Sequence, residues 1–331
     1  MILSIGEALI DLIPEKDESG SELFRPVPGG SPYNTAIALA RLEVETAFLG
    51  KISSDMFGDR LVSHLASNGV ATAKIIRSPN PSTLAFVSDG DDGSPRYAFF
   101  TNGSADRSLL ESELSDISLK DVSCVQCGSA SLTLEPGASV IESFLLGVAG
   151  ETFVSFDPNI RISLIADESR YRERIERIAS VCGLVKTSDE DLEWIYTNES
   201  IENSAQRLLD SGASLVVVTE GINGARAFRA GHKGGSEDFV AVDRLGGPRN
   251  PGDTAVEYDI PGDSVGAGDT FHAALLSWLY RRDLLDRGRL AGVESDDLRR
   301  GLGFAAKCAT IACSRVGADP PRLEEIPDEE R

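Results

Sequence analysis

An α/β fold, with a mostly parallel sheet covered by helices on both faces and a small β-sheet attached to it, is what this sequence predicts. Three observations carry the prediction. Short apolar runs rich in β-branched residues alternate with longer segments of helical spacing, the pattern of a parallel sheet buried on both sides. Two stretches break that alternation and read as strands with no helix between them. The length, 331 residues, suits one large α/β domain with an attachment, or two units, at about 150 residues per domain.

The strand-like runs are residues 2–5, 47–50, 84–87, 122–128, 153–157, 183–186 and 215–219. Helical spacing marks 32–42, 57–68, 138–148, 170–181 and 201–209, and two further helices, 270–282 and 297–315, close the chain. The exceptions are 11–28 and 82–102, the latter alternating through Tyr97 and Phe99 around a turn at 89–93. Both read as antiparallel strands. They lie near glycine-rich segments, so the small sheet is expected to act as a lid over a pocket. The organisation expected is one domain over 1–321, including the lid strands, with a loose polar tail over 322–331.

Composition excludes several classes of function. Asp and Glu number 53 against 32 Lys and Arg, a net charge of −21, which repels phosphate backbones and anionic lipid surfaces. Neither a nucleic acid nor a membrane is expected as a partner. The first twelve residues are apolar but interrupted by Glu7 and Asp11 and lack a basic leader, unlike a signal peptide. No apolar run approaches the ~20 residues that span a bilayer, so a cytoplasmic protein is expected. The five cysteines are scattered through apolar segments, which fits reduced core thiols. Cys124 and Cys127 form a CxxC, but with no second pair and no ligand histidine nearby they read as a buried strand end.

The strongest motif is Asp263-Ser-Val-Gly-Ala-Gly-Asp269-Thr-Phe271, after the strand-like run 256–260 and at the start of a helix. Gly266 and Gly268 let backbone approach a ligand closely, and the free N–H groups of the first turn, aided by the helix dipole, make an anion hole. Asp269 can take the proton of a hydroxyl attacking a phosphate held there. The bland alternative is a glycine loop with Asp269 as N-cap. A second motif, Pro28-Gly29-Gly30-Ser31-Pro32-Tyr33-Asn34, places Ser31 as N-cap and Asn34 in the first helical turn. With Gly6-Glu7-Ala8-Leu9-Ile10-Asp11 it forms a polar cluster at a strand end, where open α/β sheets bind ligands.

These two motifs, with the run Ser53-Ser-Asp55-x-Phe57-Gly58, resemble the PfkB (ribokinase-like) family of sugar kinases over nearly the whole chain. The opening GEALIDLIP, the Arg96–Asp106 segment, Asp157-Pro-Asn159-Ile-Arg161, Lys186-Thr-Ser188-Asp-Glu-Asp191 and Cys313-Ser-Arg-Val-Gly317 look most like bacterial fructokinases. The resemblance implies a ribokinase-like fold with a β-sheet lid and transfer of the γ-phosphoryl of ATP to a sugar hydroxyl, with Mg²⁺. It makes Asp269 the base and Gly266, Ala267 and Gly268 the anion hole. Asp11, Gly30 and Asn34 would hold sugar hydroxyls, with Phe99 on the lid and Arg161 at the boundary of sugar and phosphate. Thr219, Gly221 and Gly224 look like the nucleotide loop, with Ser188 beside it. The family's Asn-x-x-Glu, which orders magnesium waters, stands here as Ser188-x-x-Asp191. Asp263, with carbonyls near Val265, Ala312 and Gly317, matches a K⁺ site, although Pro321 replaces a serine common in ribokinases. A homodimer through the lid sheet is also implied. Glu43 and Ser53 replace two glycines of the first family signature.

Rival readings fit less well. Gly6 is followed by Glu7 and Ala8 rather than a dinucleotide GxGxxG, and there is no Walker GxxxxGK[ST]. His64, His232 and His272 lack metal-ligand spacing. The expected acceptor is fructose at its primary hydroxyl, with 2-keto-3-deoxygluconate as the alternative. A non-enzymatic sugar-binding regulator is the other class, and it would need neither Asp269 nor its glycines.

Only seven of the basic residues are lysine. Carboxylate excess with little lysine has two readings, adaptation to a salty cytoplasm or the composition of a GC-rich genome. Self-repulsion on an adapted surface is screened by salt, so molar KCl is expected to raise Tm above its low-salt value. A Tm indifferent to KCl leaves only genome composition.

Overall fold

A computed structural model describes residues 1–17, 19–89, 95–229, 239–243 and 265–327. Its strands are β1 (Ile2–Ile5), β2 (Leu9–Lys16), β3 (Glu22–Gly29), β4 (Thr46–Ser53), β5 (Ile75–Ser78), β6 (Thr83–Asp89), β7 (Pro95–Phe100), β8 (Cys124–Gly128), β9 (Phe153–Asp157), β10 (Leu184–Ser188), β11 (Leu215–Thr219), β12 (Ala225–Arg229) and β13 (Phe239–Val242). Nine of them form one sheet in the order β13-β12-β11-β10-β9-β8-β1-β4-β5. From β5 to β11 every neighbouring pair is parallel, while β12 and β13 are added antiparallel. The ribokinase-like α/β class expected from the sequence is the fold observed.

Alternation along these strands feeds two cores. Leu215 and Val217 face a cluster shared with the helices Ser31–Arg41, Ala267–Arg281 and Ser295–Cys313. Val216 and Val218 face the helices Gly137–Val148, Glu168–Ala179 and Ile201–Ser211. Burial on both faces leaves no room for polar alternation, so these strands read as continuous apolar runs. The same geometry disposes of the CxxC. Its thiols, three residues apart on β8, point into opposite cores, Cys124 into one and Cys127 into the other.

A second, four-stranded sheet runs β3-β2-β6-β7. Within each of the two stretches the strands pair antiparallel as expected, and the stretches join through a parallel central pair, β2–β6. The two hairpins, β2–β3 and β6–β7, come from distant parts of the chain and meet side by side rather than continuing one meander. Its partly exposed face carries the edge-to-face aromatic row Phe24, Phe86 and Phe100. Two carboxylates fasten its base. Asp55, N-cap of the helix Met56–Ser67, accepts from Ser82 N and Oγ at 2.9 and 2.8 Å, and Asp106 accepts from Thr83 Oγ1 at 2.7 Å. The Ser53–Gly58 run therefore anchors the second sheet through Asp55. Gly58 is required because a side chain there would strike the Ser53 carbonyl oxygen at 1.8 Å.

Two further expectations change. The helix placed at 270–282 starts at Ala267, with Gly266 as its N-cap. Residues 322–327 are packed rather than loose. Ile326 is buried in the core, Leu323 packs against the same cluster and Arg315 pairs with Glu325, so two apolar side chains anchor an otherwise polar segment. The strand expected at 256–260 lies outside the described residues, as do Asp263, His232 and the turn tip at 90–93. Among the described residues no helix is long and apolar enough to cross a membrane.

Candidate active site

The strand order reverses at β1. The chain leaves it for β4 and β5 on one side and later adds β8 on the other, and open α/β sheets bind ligands at the carboxyl end of such a point. Glu7, just beyond β1, bridges it. Its Oε1 accepts from Ser31 N at 3.1 Å and its Oε2 from Ser131 N at 3.0 Å, so one side chain ties the diglycine turn to the turn after β8. Gly30, with φ 113°, sits where a side chain would meet the Glu7 carbonyl oxygen at 2.8 Å. Gly30, and not Ser31, is the N-cap of the helix Ser31–Arg41. Ser31 is freed for a longer reach.

That reach ends on Asp269. Ser31 Oγ donates to its Oδ1 at 2.6 Å, Asn34 Nδ2 to its Oδ2 at 2.9 Å, and Asn159 Nδ2 to Oδ1 at 3.3 Å. Asp269 is the third residue of the helix Ala267–Arg281, 6% exposed, and burial raises its pKa against the pull of Ser31 and Asn34. The N-cap alternative for this aspartate is excluded, because Gly266 holds that position in the left-handed region, φ 73°. A side chain at Gly266 would meet Ala318 Cβ at 2.6 Å, so the C-terminal loop packs directly on the turn. The N–H groups of Ala267, Gly268 and Asp269 come before the first intrahelical acceptor; the ladder begins with Thr270 N donating to Gly266 O at 2.8 Å.

Asp11 on β2 lies against Gly29, where a side chain would meet its Oδ2 at 2.2 Å. Burial pushes the Asp11 pKa up to about 7; the Arg161 guanidinium opposes the rise, and the Asp269 and Glu7 carboxylates add to it. Arg161 donates to Asn159 Oδ1 at 2.7 Å and stands 6.0 Å from the Tyr97 ring, on which Phe99 stacks at 5.8 Å. Asp269, Asn34, Asn159, Arg161 and Asp11 are thus linked into one cluster, with Gly30 at its hinge and Phe99 reaching it through Tyr97.

The expected nucleotide residues lie along the same sheet edge. Ser188 ends β10 in register with Thr219 at the end of β11, and caps the helix Asp189–Ile195 by accepting from Asp191 N at 3.0 Å. Asp191 Oδ1 accepts from Ile160 N at 3.0 Å. Gly221 and Gly224 form the hairpin from β11 to β12. Gly224, φ 89°, is required by the chain itself, since a side chain would meet the Val242 carbonyl oxygen at 2.0 Å. Among the described residues no three His, Cys, Asp or Glu side chains form a metal cage. A magnesium ion held mainly by phosphates and water needs only one or two carboxylates. Asp191, whose Oδ1 accepts from Ile160 N, fits that demand.

Three participants escaped the sequence reading. Glu7 and Asn159 stood inside quoted motifs, but their partners lie far along the chain. Lys186 is the third. Its Nζ is 2.9 Å from Asp157 Oδ2, with the two side chains 5% and 1% exposed. A lysine ending an apolar strand was the available signal. His272, one turn beyond Asp269, is fully buried with Nε2 2.6 Å from Ser155 Oγ, and burial takes its pKa down to about 3.

Burial also takes the Glu7 pKa up to about 7 from its ordinary 4.5, against four hydrogen bonds that lower it. The native state therefore holds a proton that the unfolded chain releases between about pH 4.5 and 7, and stability falls as pH rises through that window. Glu7→Gln should flatten part of this slope in denaturant melts at pH 5, 6 and 7. Slopes equal to the parent's would contradict the assignment.

Comparison with known proteins agrees with this fold. Residues 1–325 match the pfkB family carbohydrate kinase model. A fructokinase of Rhizobium leguminosarum bv. trifolii is 36% identical over 91% of this chain and 86% of its own. Fructokinase with bound ATP from Xylella fastidiosa superposes with a TM-score of 0.81 at 27% identity, covering 98% of this chain and 94% of that one. A double-mutant fructokinase from Vibrio cholerae O395, in its fructose, ADP and potassium ion bound form, gives a TM-score of 0.77 at 25% identity over 96% and 93%. A match that spans both motifs, the sheet and its reversal point means that this chain belongs to the pfkB family of carbohydrate kinases.

Proposed function

We propose that this kinase transfers the γ-phosphoryl group of ATP to the primary hydroxyl of fructose. The observation that carries the reading is the buried Asp269 carboxylate, held by Ser31 and Asn34 at the mouth of the helix Ala267–Arg281. A desolvated carboxylate is a stronger base than one in water, and here it adjoins the N–H groups suited to an anion. The acceptor oxygen attacks the γ-phosphorus. As that O–P bond forms, the bond to the bridging oxygen breaks, its electron pair leaves on ADP, and the hydroxyl proton passes to Asp269. Asp11, Gly30 and Asn34 orient the sugar. Ser188, Thr219, Gly221 and Gly224 line the nucleotide's side. Bound near Asp191, Mg²⁺ would neutralise phosphate charge. The second sheet acts as the lid that excludes water, carrying Phe99.

Fructose is favoured over a sugar acid by the charges at hand. A desolvated carboxylate needs a cation, and Arg107 is committed to the carbonyls of Glu135 and Thr101. Arg161 already faces Asp11, which would repel a carboxylate on the acceptor. The fructokinases among the relatives support the same choice. With equal acceptor concentrations far below KM, kcat/KM for fructose should exceed that for 2-keto-3-deoxygluconate and for ribose by at least about tenfold, roughly 1.4 kcal/mol. Asp269→Asn should lower kcat by at least about 10²-fold with the fold intact. A faster rate with the sugar acid overturns the substrate, and activity surviving in Asp269→Asn overturns the base.

A further inference from the structure

We propose that Lys186 is the cation that meets the transferring phosphoryl group, working with the helix N-terminus beside it. The inference rests on the kinase reading above and names a residue that reading does not use. The Lys186 side chain is 5% exposed, and among the described residues its ammonium has a single hydrogen-bond partner, Asp157 Oδ2 at 2.9 Å. Asp157 Oδ1 is buried with no hydrogen-bond partner among the described residues, and beyond Lys186 only the Asn159 backbone N–H is near enough to Asp157 to lower its pKa by hydrogen bonding. A buried ion pair that serves only the fold recovers its desolvation cost through several hydrogen bonds on each ion. The Arg174 network in this chain does so, with donations to Glu142, Glu135, Ser139 and the Leu132 carbonyl. Lys186 and Asp157 are left half-satisfied by comparison.

The second observation is where the ammonium points. A side chain on Gly268 would come within 3.1 Å of Lys186 Nζ. Gly268 is the second residue of the helix Ala267–Arg281, so the ammonium lies over its first turn. The N-terminus of a helix carries about half a positive charge, and a lysine buried against it adds to that charge. Two like charges gathered out of water cost stability, and an anion bound between them relieves the cost. A phosphoryl group spreading charge over its oxygens during transfer is such an anion, and Asp269 flanks the same turn to receive the acceptor proton. Lys186 forms no covalent bond in this scheme; its N–H groups and charge act on the moving phosphoryl oxygens. His272, the neighbouring ionisable group on the same helix, is held neutral by burial and by Lys186, so it brings no competing charge.

Lys186→Met alone would leave Asp157 buried and unpaired, so the informative variant is Lys186→Met combined with Asp157→Asn, a neutral pair of similar shape. Its fold is checked by its circular dichroism spectrum and a thermal melt. If Lys186 serves the phosphoryl group, both variants lose about 10²-fold or more in kcat, with KM for fructose within about threefold of the parent's. Calorimetry supplies a readout independent of turnover. Affinity for adenylyl imidodiphosphate should fall at least tenfold more than affinity for ADP. Recovery of kcat to within tenfold of the parent in the double variant, or equal losses for the two nucleotides, would reduce Lys186 to a counterion for Asp157. A parent protein inactive on every sugar would instead sink the kinase reading, while the nucleotide comparison still tests Lys186.

Discussion

The desolvated carboxylate of Asp269 is the constraint on which the rest of this structure turns. An ionised carboxylate out of water is costly unless its oxygens are hydrogen-bonded, and no residue near it in sequence supplies those bonds. They come from Ser31, Asn34 and Asn159. Satisfying Asp269 therefore aligns three separately built elements: the helix after the diglycine turn, the turn after β9 and the helix Ala267–Arg281. In the proposed reaction those elements carry the sugar, the boundary between sugar and phosphate, and the phosphate. Their register is set by one acid.

Around it the fold concentrates more acid than base. Glu7, Asp11, Asp157 and Asp191 are each raised by burial, with Arg161 and Lys186 as the cations among them. Such a cluster titrates as a coupled unit rather than as separate groups. It is an arrangement that stability alone would not select. The proposed counterpart is a ligand rich in hydroxyl donors on one side and anionic on the other.

Much of this was legible in the sequence, and for local reasons. The glycine spacing of 266–269 and the position of Asp269 after it are readable because a helix start is decided within four residues. The parallel sheet was readable because strands buried on both faces lack polar alternation. What stayed hidden depends on partners far apart in the chain. Ser31 looks like an N-cap from its neighbours alone, yet Gly30 takes that place and Ser31 bonds to Asp269 238 positions away. Glu7 reads as an interruption of an apolar run until Ser131, 124 positions on, donates to it. The parallel pairing of β2 with β6 was invisible because each hairpin is antiparallel within itself. The strand β12, with Arg226 and Arg229 in it, carries no apolar run to announce it.

If one buried carboxylate serves both halves of the site, a crystal structure with fructose and adenylyl imidodiphosphate will show the acceptor hydroxyl within about 2.6–3.2 Å of an Asp269 oxygen, with the terminal phosphoryl over the Ala267 and Gly268 N–H groups. A primary hydroxyl bound to a different carboxylate, with the phosphoryl away from that helix start, would contradict it.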